Sequence, residues 1–371
     1  MLLNKNHLNV LTTCLALFPI FFITGPFLAD LFVVIIDCSF LYFFLNQSKQ
    51  FKKDFFDNYK QEIFTLLCFW IFSMISSFYS EFSFNSFYKS FFHIRFFIFL
   101  FSLIFIFKVI FQDDKLKNYF YKIIIAVLVI TFLSMLFEIL VKVQYHHDIT
   151  GFIFNQYQPY RFSGFFFDEQ IIGSFLVKIL IIASLLIFDV KKFSVIHYII
   201  FIVGFMTILI SGERMATLLS CMYFFFYFII CWKKISISHL LKFIPLFFLL
   251  LAITFSANKK LAERYGFFLS YLQDKIVHEQ GVSNSAPNYN YFALIQSGYN
   301  VWKTSKLVGV GVRNYRNVCK EVYSFNDSYH RFCDTHPHNL FSEILAETGS
   351  LGILSFLSFI LVVITKTYSI K

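Results

Sequence analysis

Charge is scarce in this chain. Only 15% of its 371 residues are Asp, Glu, Lys or Arg, while 58% are hydrophobic. A typical soluble domain carries about 25% charged residues, so this balance excludes that class and fits a polytopic helical membrane protein. Several chemical motifs are missing as well. No Cys-x-x-Cys pair and no zinc-ligand spacing occurs, so no structural zinc module is expected. No Asp-x-Asp occurs either, which argues against a metal-dependent sugar-nucleotide transferase. Gly309-x-Gly311 has no third glycine in a strand–helix unit, so it is not a dinucleotide fingerprint. The net charge of +10 is not arranged as a basic stripe interleaved with stacking aromatics, so no nucleic-acid partner is expected. No metal and no cofactor are expected.

What the chain does have is apolar runs of membrane-spanning length, bounded by charge. They fall at 8–24, 27–45, 62–79, 90–111, 119–141, 169–188, 195–211, 215–232, 239–256 and 350–366. The expected fold is therefore an all-α polytopic membrane protein of about ten transmembrane helices with one large extracytoplasmic loop. The first run is not expected to be a cleaved signal, because only Lys5 precedes it and no small-residue cleavage site follows.

Lysines orient the spans. Alternate connections carry Lys49, Lys52, Lys53 and Lys60, then Lys108, Lys115, Lys117 and Lys122, then Lys191 and Lys192. Lys233, Lys234 and Lys242 follow, and finally Lys366 and Lys371. The intervening connections carry only Lys89, then Lys142 and Arg161, then Arg214. The positive-inside rule makes the Lys-rich set cytoplasmic, with both termini inside. The expected organisation is nine spans over 1–256, a large outer loop over 257–338, and a helix with the last span over 339–371.

The outward connections carry the chemistry. In YRFSGFFFDEQ, Arg161 beside Gly164 suits phosphate binding, or else pairs with Asp168 to settle the following helix. In SGER, Arg214 sits at the mouth of a span against the positive-inside trend. It either meets an anionic ligand or snorkels to the interface beside Glu213. The outer loop is basic, with Lys259, Lys260, Arg264, Lys275, Lys303, Lys306, Arg313, Arg316, Lys320 and Arg331, and would attract a diphosphate or anionic headgroups. Cys319 and Cys333 are its only cysteines, and a disulfide between them would hold the residues leading to His336. Glu138, Lys178, His93 and Arg95 lie in or beside spans, where ionisable residues are functional or paired.

The densest cluster is THPHNLFSEILAETGSLG, Thr335 to Gly352. His338 or His336 can serve as a general base toward a hydroxyl, or simply cap or pack at a helix start. Asn339, Glu343 and Glu347 follow at four-residue steps, on one helical face if the segment is helical. They are candidates for orienting the base or binding glycan hydroxyls.

Arg161-x-x-Gly164, Ser211-x-x-Arg214, Gly309-x-Gly311 and HPHN followed by Glu-x-x-x-Glu-x-Gly resemble, in order and spacing, the motifs of the bacterial O-antigen ligase and O-antigen polymerase superfamily. The resemblance covers roughly 150 to 352. It implies a GT-C-like, metal-independent glycosyltransferase of the bacterial inner membrane with a periplasmic active site, surrounded by membrane lipids. The implied donor is an undecaprenyl-diphosphate-linked glycan, and the implied acceptor is lipid A–core or a growing glycan chain. It implies that Arg161 and Arg214 hold the diphosphate and that His338 activates the acceptor. A family arginine before the Gly-x-Gly turn has no counterpart here, which leaves Arg264, Arg313 and Arg316 as further diphosphate candidates. The rival reading is a transporter or flippase of lipid-linked oligosaccharide; the absence of an internal repeat with matching broken helices speaks against it.

Overall fold

The computed structural model describes residues 5–23, 26–81, 83–141, 144–148, 151–155, 161–166, 170–186, 193–266, 291–323 and 333–369. Asp168 lies outside them, as do Lys142, Lys191, Lys192, Lys275, Arg331 and Lys371 from the charge argument. Helices α1 to α6 run Lys5–Ile23, Pro26–Leu45, Lys49–Phe78, Ser83–Phe92, Ile94–Gln112 and Asp114–Val141. A short antiparallel hairpin follows, β1 Gln144–Asp148 paired with β2 Gly151–Asn155 in the register His146 opposite Ile153. Then come α7 Ile172–Leu186, α8 Val195–Ile210, α9 Arg214–Ile230 and α10 Ile237–Ala257. The last three helices are α11 Tyr291–Thr304, α12 Tyr315–Tyr323 and α13 Leu340–Ser369.

Six helical stretches among the described residues are long and apolar enough to cross a membrane: Phe27–Leu45, Lys49–Phe78, Phe84–Lys108, Asp114–Val141, Ile237–Ala257 and Leu340–Thr367. The other four apolar runs of the sequence form shorter helices, Val10–Phe21, Ile172–Leu186, Val195–Ile210 and Arg214–Ile230. Large apolar side chains such as Phe84, Phe225 and Ile230 stand exposed on these helices, as lipid-facing positions require.

The chain divides into two compact units, each described by itself: Met1–Phe32 with Ile104–Gly281, and Val33–Leu103 with Val282–Lys371. In the first, α6 begins because Asp113 receives the backbone N–H groups of Lys115 (2.8 Å) and Leu116 (3.3 Å) on its carboxylate, filling two of the orphan donors of a helix start. Its inner face, with Phe120, Ile124 and Met135, packs beside α7, whose Ile172, Leu176 and Leu180 are fully buried. Helices α8 and α9 pack against α7 and against each other.

In the second unit, α3 packs along α13. The α3 interface is polar and small: Ser73, Ser76 and Ser77 are buried there, which permits close approach of backbones within a membrane. Both helices are bent, α3 at Tyr59 and α13 at Gly349. Helix α3 starts at Lys49, well before the apolar run at 62, because Ser48 caps it by accepting the N–H of Phe51 at 3.2 Å. Val301, Val310, Tyr315, Cys319 and Ala346 form a local apolar core.

Candidate functional site

In the first unit, three separate segments meet at the turn Ser211–Gly212–Glu213 between α8 and α9. Ser211 is fully buried, and its hydroxyl donates to Ile208 O at 2.6 Å. The segment after β2 docks on this turn through Phe162 N–H to Ser211 O, 3.1 Å. From the stretch after α10, Arg264 Nε donates to Gly212 O at 2.8 Å. Tyr265 Oη donates to Leu209 O at 2.9 Å and shares a 2.8 Å hydrogen bond with Thr217. Burial pushes the Tyr265 phenol up to about 12, with the Thr217 contact opposing, so it stays a donor at physiological pH. Arg161, Arg214 and Arg264 are thus brought to one turn of the chain.

Two acids build this arrangement. Glu138, a charge inside α6, is buried, and its Oε2 accepts the N–H groups of Ser163 (3.0 Å) and Gly164 (2.7 Å). It thereby fixes the backbone that carries Arg161, whose Nη2 donates to Gln170 O at 3.1 Å. Glu213 caps α7: its carboxylate accepts the N–H groups of Gly173 and Ser174 and the hydroxyl of Ser174. This capping role is favoured by the positive end of the α7 dipole. Lys178, farther along α7, is exposed.

In the second unit, the Gly309–Arg313 turn docks on the kink of α13. Val310 N–H donates to Ala346 O at 3.0 Å, and Gly311 N–H donates to both Glu347 O (2.9 Å) and Ser76 Oγ (3.0 Å). Ser86 Oγ donates to Val312 O at 2.9 Å. Glu347, a candidate for orienting the base or binding glycan hydroxyls, turns its buried carboxylate to the backbone N–H groups of Arg313 and Tyr315, at the start of α12. Asn339 caps α13, its side chain accepting Ser342 N–H at 3.0 Å and its carbonyl accepting Glu343 N–H at 2.9 Å. Glu343 lies within electrostatic range of Tyr315 and Glu347. The three residues share one helical stretch, yet none of them contacts His338 through a hydrogen bond given by the structure.

The partner of His338 is Asp334, which the sequence reading passed over. His338 Nε2 meets Asp334 Oδ2 at 2.9 Å, and this hydrogen bond is the main cause holding the Asp334 carboxyl below the usual carboxylate range. The four-residue offset and the place next to Cys333 were the available signals. Cys319 and Cys333 form a disulfide with Cα atoms 5.8 Å apart. The rings of His336 and His338 stand 4.3 Å apart, and His336 Nδ1 is engaged by Thr335 Oγ1 at 2.9 Å. Two non-glycine residues adopt a left-handed backbone among the described residues, Arg313 at φ 63° and His338 at φ 51°. Such conformations concentrate at functional sites.

Arg313 and Arg316 are exposed, and Arg313 lies within electrostatic range of His93, as does Arg95. Arg95 also has its guanidinium over the Phe96 ring at 4.7 Å. Asp37, buried on α2, has Arg95 within electrostatic range. Among the described residues, no group of three or more His, Cys, Asp or Glu side chains is placed to hold a metal ion.

No curated protein and no solved structure matches the chain. Residues 199–357 match the family model described as O-antigen ligase. The matched segment contains the Ser211–Arg214 turn, Arg264, the Gly309–Arg313 turn and the His336–Asn339 cluster, and over it the chain is similar to that family.

Proposed function

We propose that the protein is a membrane glycosyltransferase that moves a glycan from an undecaprenyl-diphosphate carrier to an acceptor hydroxyl, as an O-antigen ligase or a repeat-unit polymerase. The observation that carries this reading is the O-antigen ligase match over residues 199–357, which encloses both the arginine turn and the histidine cluster. In this reading all ten apolar runs span the inner membrane, both termini are cytoplasmic, and the chemistry takes place on the periplasmic side in a GT-C-like frame.

The reaction breaks the bond between the anomeric carbon and the diphosphate, whose oxygen departs with the electron pair. Arg161, Arg214 and Arg264 stabilise the charge that develops there, as fixed guanidiniums do without a metal. Their shared turn supports the assignment, since preorganised donors need no rearrangement as charge forms. Arg313 and Arg316 add to the positive field that attracts the donor. The acceptor oxygen attacks the opposite face of the anomeric carbon, giving inversion, and its proton passes to His338.

The test is transfer in liposomes from a synthetic undecaprenyl-diphosphate oligosaccharide, in EDTA, with lipid A–core present or omitted. Product on lipid A–core makes the protein a ligase, and lengthening of the donor glycan without it makes the protein a polymerase. Donor movement across the bilayer without any transfer contradicts the reading and returns the transporter.

A further inference from the structure

The transferase reading needs a base but leaves open which atom takes the proton and what holds that atom still. Both questions have an answer in the six residues from Cys333 to His338. Asp334 lies immediately after the disulfide cysteine, and its partner Cys319 is fully buried among Val301, Val310, Tyr315 and Ala346. The disulfide therefore ties the backbone of Asp334 to a packed apolar core. Asp334 Oδ1 accepts the N–H of Thr335 at 2.6 Å, which orients the carboxylate, and Oδ2 is left to meet His338 Nε2 at 2.9 Å.

His338 is fixed from its own side as well. Pro337, next to it, is buried where α11 passes at Gly298, and Asn339 on its other flank is the cap of α13. Between these anchors His338 takes its left-handed backbone at φ 51°. This conformation is one that histidine tolerates better than most residues. The imidazole remains about one-third exposed, at 34%, and Asp334 is 40% exposed, so the pair is open to a substrate. A neutral imidazole carries one proton, and a carboxylate can only accept. The Nε2–H therefore points at Asp334, and the lone pair is on Nδ1.

We propose that Asp334 is the positioning residue for His338: it holds the Nε2–H of the neutral ring and so makes Nδ1 the atom that receives the acceptor's proton. The inference rests on the transferase reading for its chemistry. As the acceptor oxygen bonds to the anomeric carbon and the diphosphate leaves, the hydroxyl proton moves to Nδ1. The resulting imidazolium shares its charge with the Asp334 carboxylate. Asp334 touches no reacting atom.

The experiment is a double-mutant cycle on the full-length protein in liposomes, using wild type, Asp334→Ala, His338→Ala and the double variant, with Asp334→Asn alongside. Donor and acceptor are those of the transfer assay. Asp334→Ala is expected to lower kcat about tenfold or more with little change in donor KM. Asp334→Asn keeps its oxygen on Thr335 N–H and turns an N–H donor to the ring, so it is expected to favour the Nδ1–H tautomer and to be no faster than Asp334→Ala. In the His338→Ala background, Asp334→Ala is expected to cost nothing further, because its effect acts through the ring that is gone. An Asp334→Ala enzyme as fast as wild type overturns the proposal, and so does an equal loss in both backgrounds, which marks a merely structural role. Histidine-selective 15N NMR reads the ring without turnover, with the His338 signal assigned by comparison with His338→Ala. If no acceptor supports transfer, the transferase reading fails and this measurement decides the placement. An Nε2–H tautomer in wild type that becomes mixed in Asp334→Ala upholds it, and the same tautomer population in both overturns it.

Discussion

Gly309 and Gly349 meet backbone to backbone where the Gly309–Arg313 turn docks on the bend of α13. A β-carbon on Gly309 would stand 2.5 Å from the Gly349 nitrogen, and one on Gly349 would stand 2.6 Å from the Gly309 nitrogen. Both have left-handed backbones, φ 78° and 66°. The Gly309-x-Gly311 turn and the glycine of the Glu347-x-Gly349 segment are therefore two halves of one joint.

Alanine at either position should destabilise the second unit. The backbone strain is about 1–3 kcal/mol, and forcing a methyl into the packed joint adds roughly 1–3 kcal/mol. A thermal unfolding series of Gly309→Ala and Gly349→Ala in detergent reads this directly. An unfolding temperature equal to that of wild type would contradict the joint.

Loss of the Cys319–Cys333 disulfide should loosen the histidine cluster more than the membrane helices. The bridge spans a sequence separation of 14, and a loop of that size is worth about 3 kcal/mol in the chain-entropy account. Limited proteolysis of the oxidised protein and of Cys319→Ser/Cys333→Ser is the check. Cleavage near Thr335 should appear in the variant while transfer slows. Identical digestion patterns would show that the bridge holds nothing.

How much of this was legible in the sequence differs by level. Each apolar run became a helix, because run length and hydropathy are local properties. Helix extent was less legible: α3 reaches back to Lys49 through a polar half that Ser48 caps and whose Phe51 and Phe55 pack on Phe44 of α2. The candidate residues were legible by type, as charge at the edge of spans is rare. Their grouping was not. Arg161, Arg214 and Arg264 come together through backbone contacts such as Phe162 N–H to Ser211 O, and no spacing rule encodes those. The four-residue ladder Asn339, Glu343, Glu347 suggested one shared task. In the structure Asn339 caps its own helix and Glu347 the start of α12, while the short-range partner Asp334 went unnoticed beside the more conspicuous HPHN.

Acid should release Asp334 from His338 in a defined window. Its folded-state carboxyl titrates below the ordinary value, chiefly because of the His338 hydrogen bond. Its favourable contribution is therefore present above the unfolded carboxyl value near 3.9 and is lost as pH falls through the lower folded value. The difference in unfolding temperature between wild type and Asp334→Asn should begin to shrink as pH falls below about 4 and vanish only below the lower folded value. A difference that does not change with pH through the acid range would contradict the pairing.

Arginine at the Ser211–Arg214 turn should not be replaceable by lysine. Arg264 reaches Gly212 O through its Nε, a donor set in a planar fork that lysine lacks. Arg214→Ala should lower kcat by about two orders of magnitude. Arg264→Lys should weaken donor binding despite the retained charge. Donor titrations by fluorescence, paired with initial rates, separate the two effects. An Arg264→Lys protein with wild-type donor affinity would remove Arg264 from the site.

The most direct test of the central claim is single-turnover transfer by purified protein preloaded with undecaprenyl-diphosphate oligosaccharide. It compares wild type with a His338→Ala variant that still binds the donor. Glycan transfer to the acceptor is expected in wild type, with a rate at least about a hundredfold lower in the variant. Equal rates in both would contradict it.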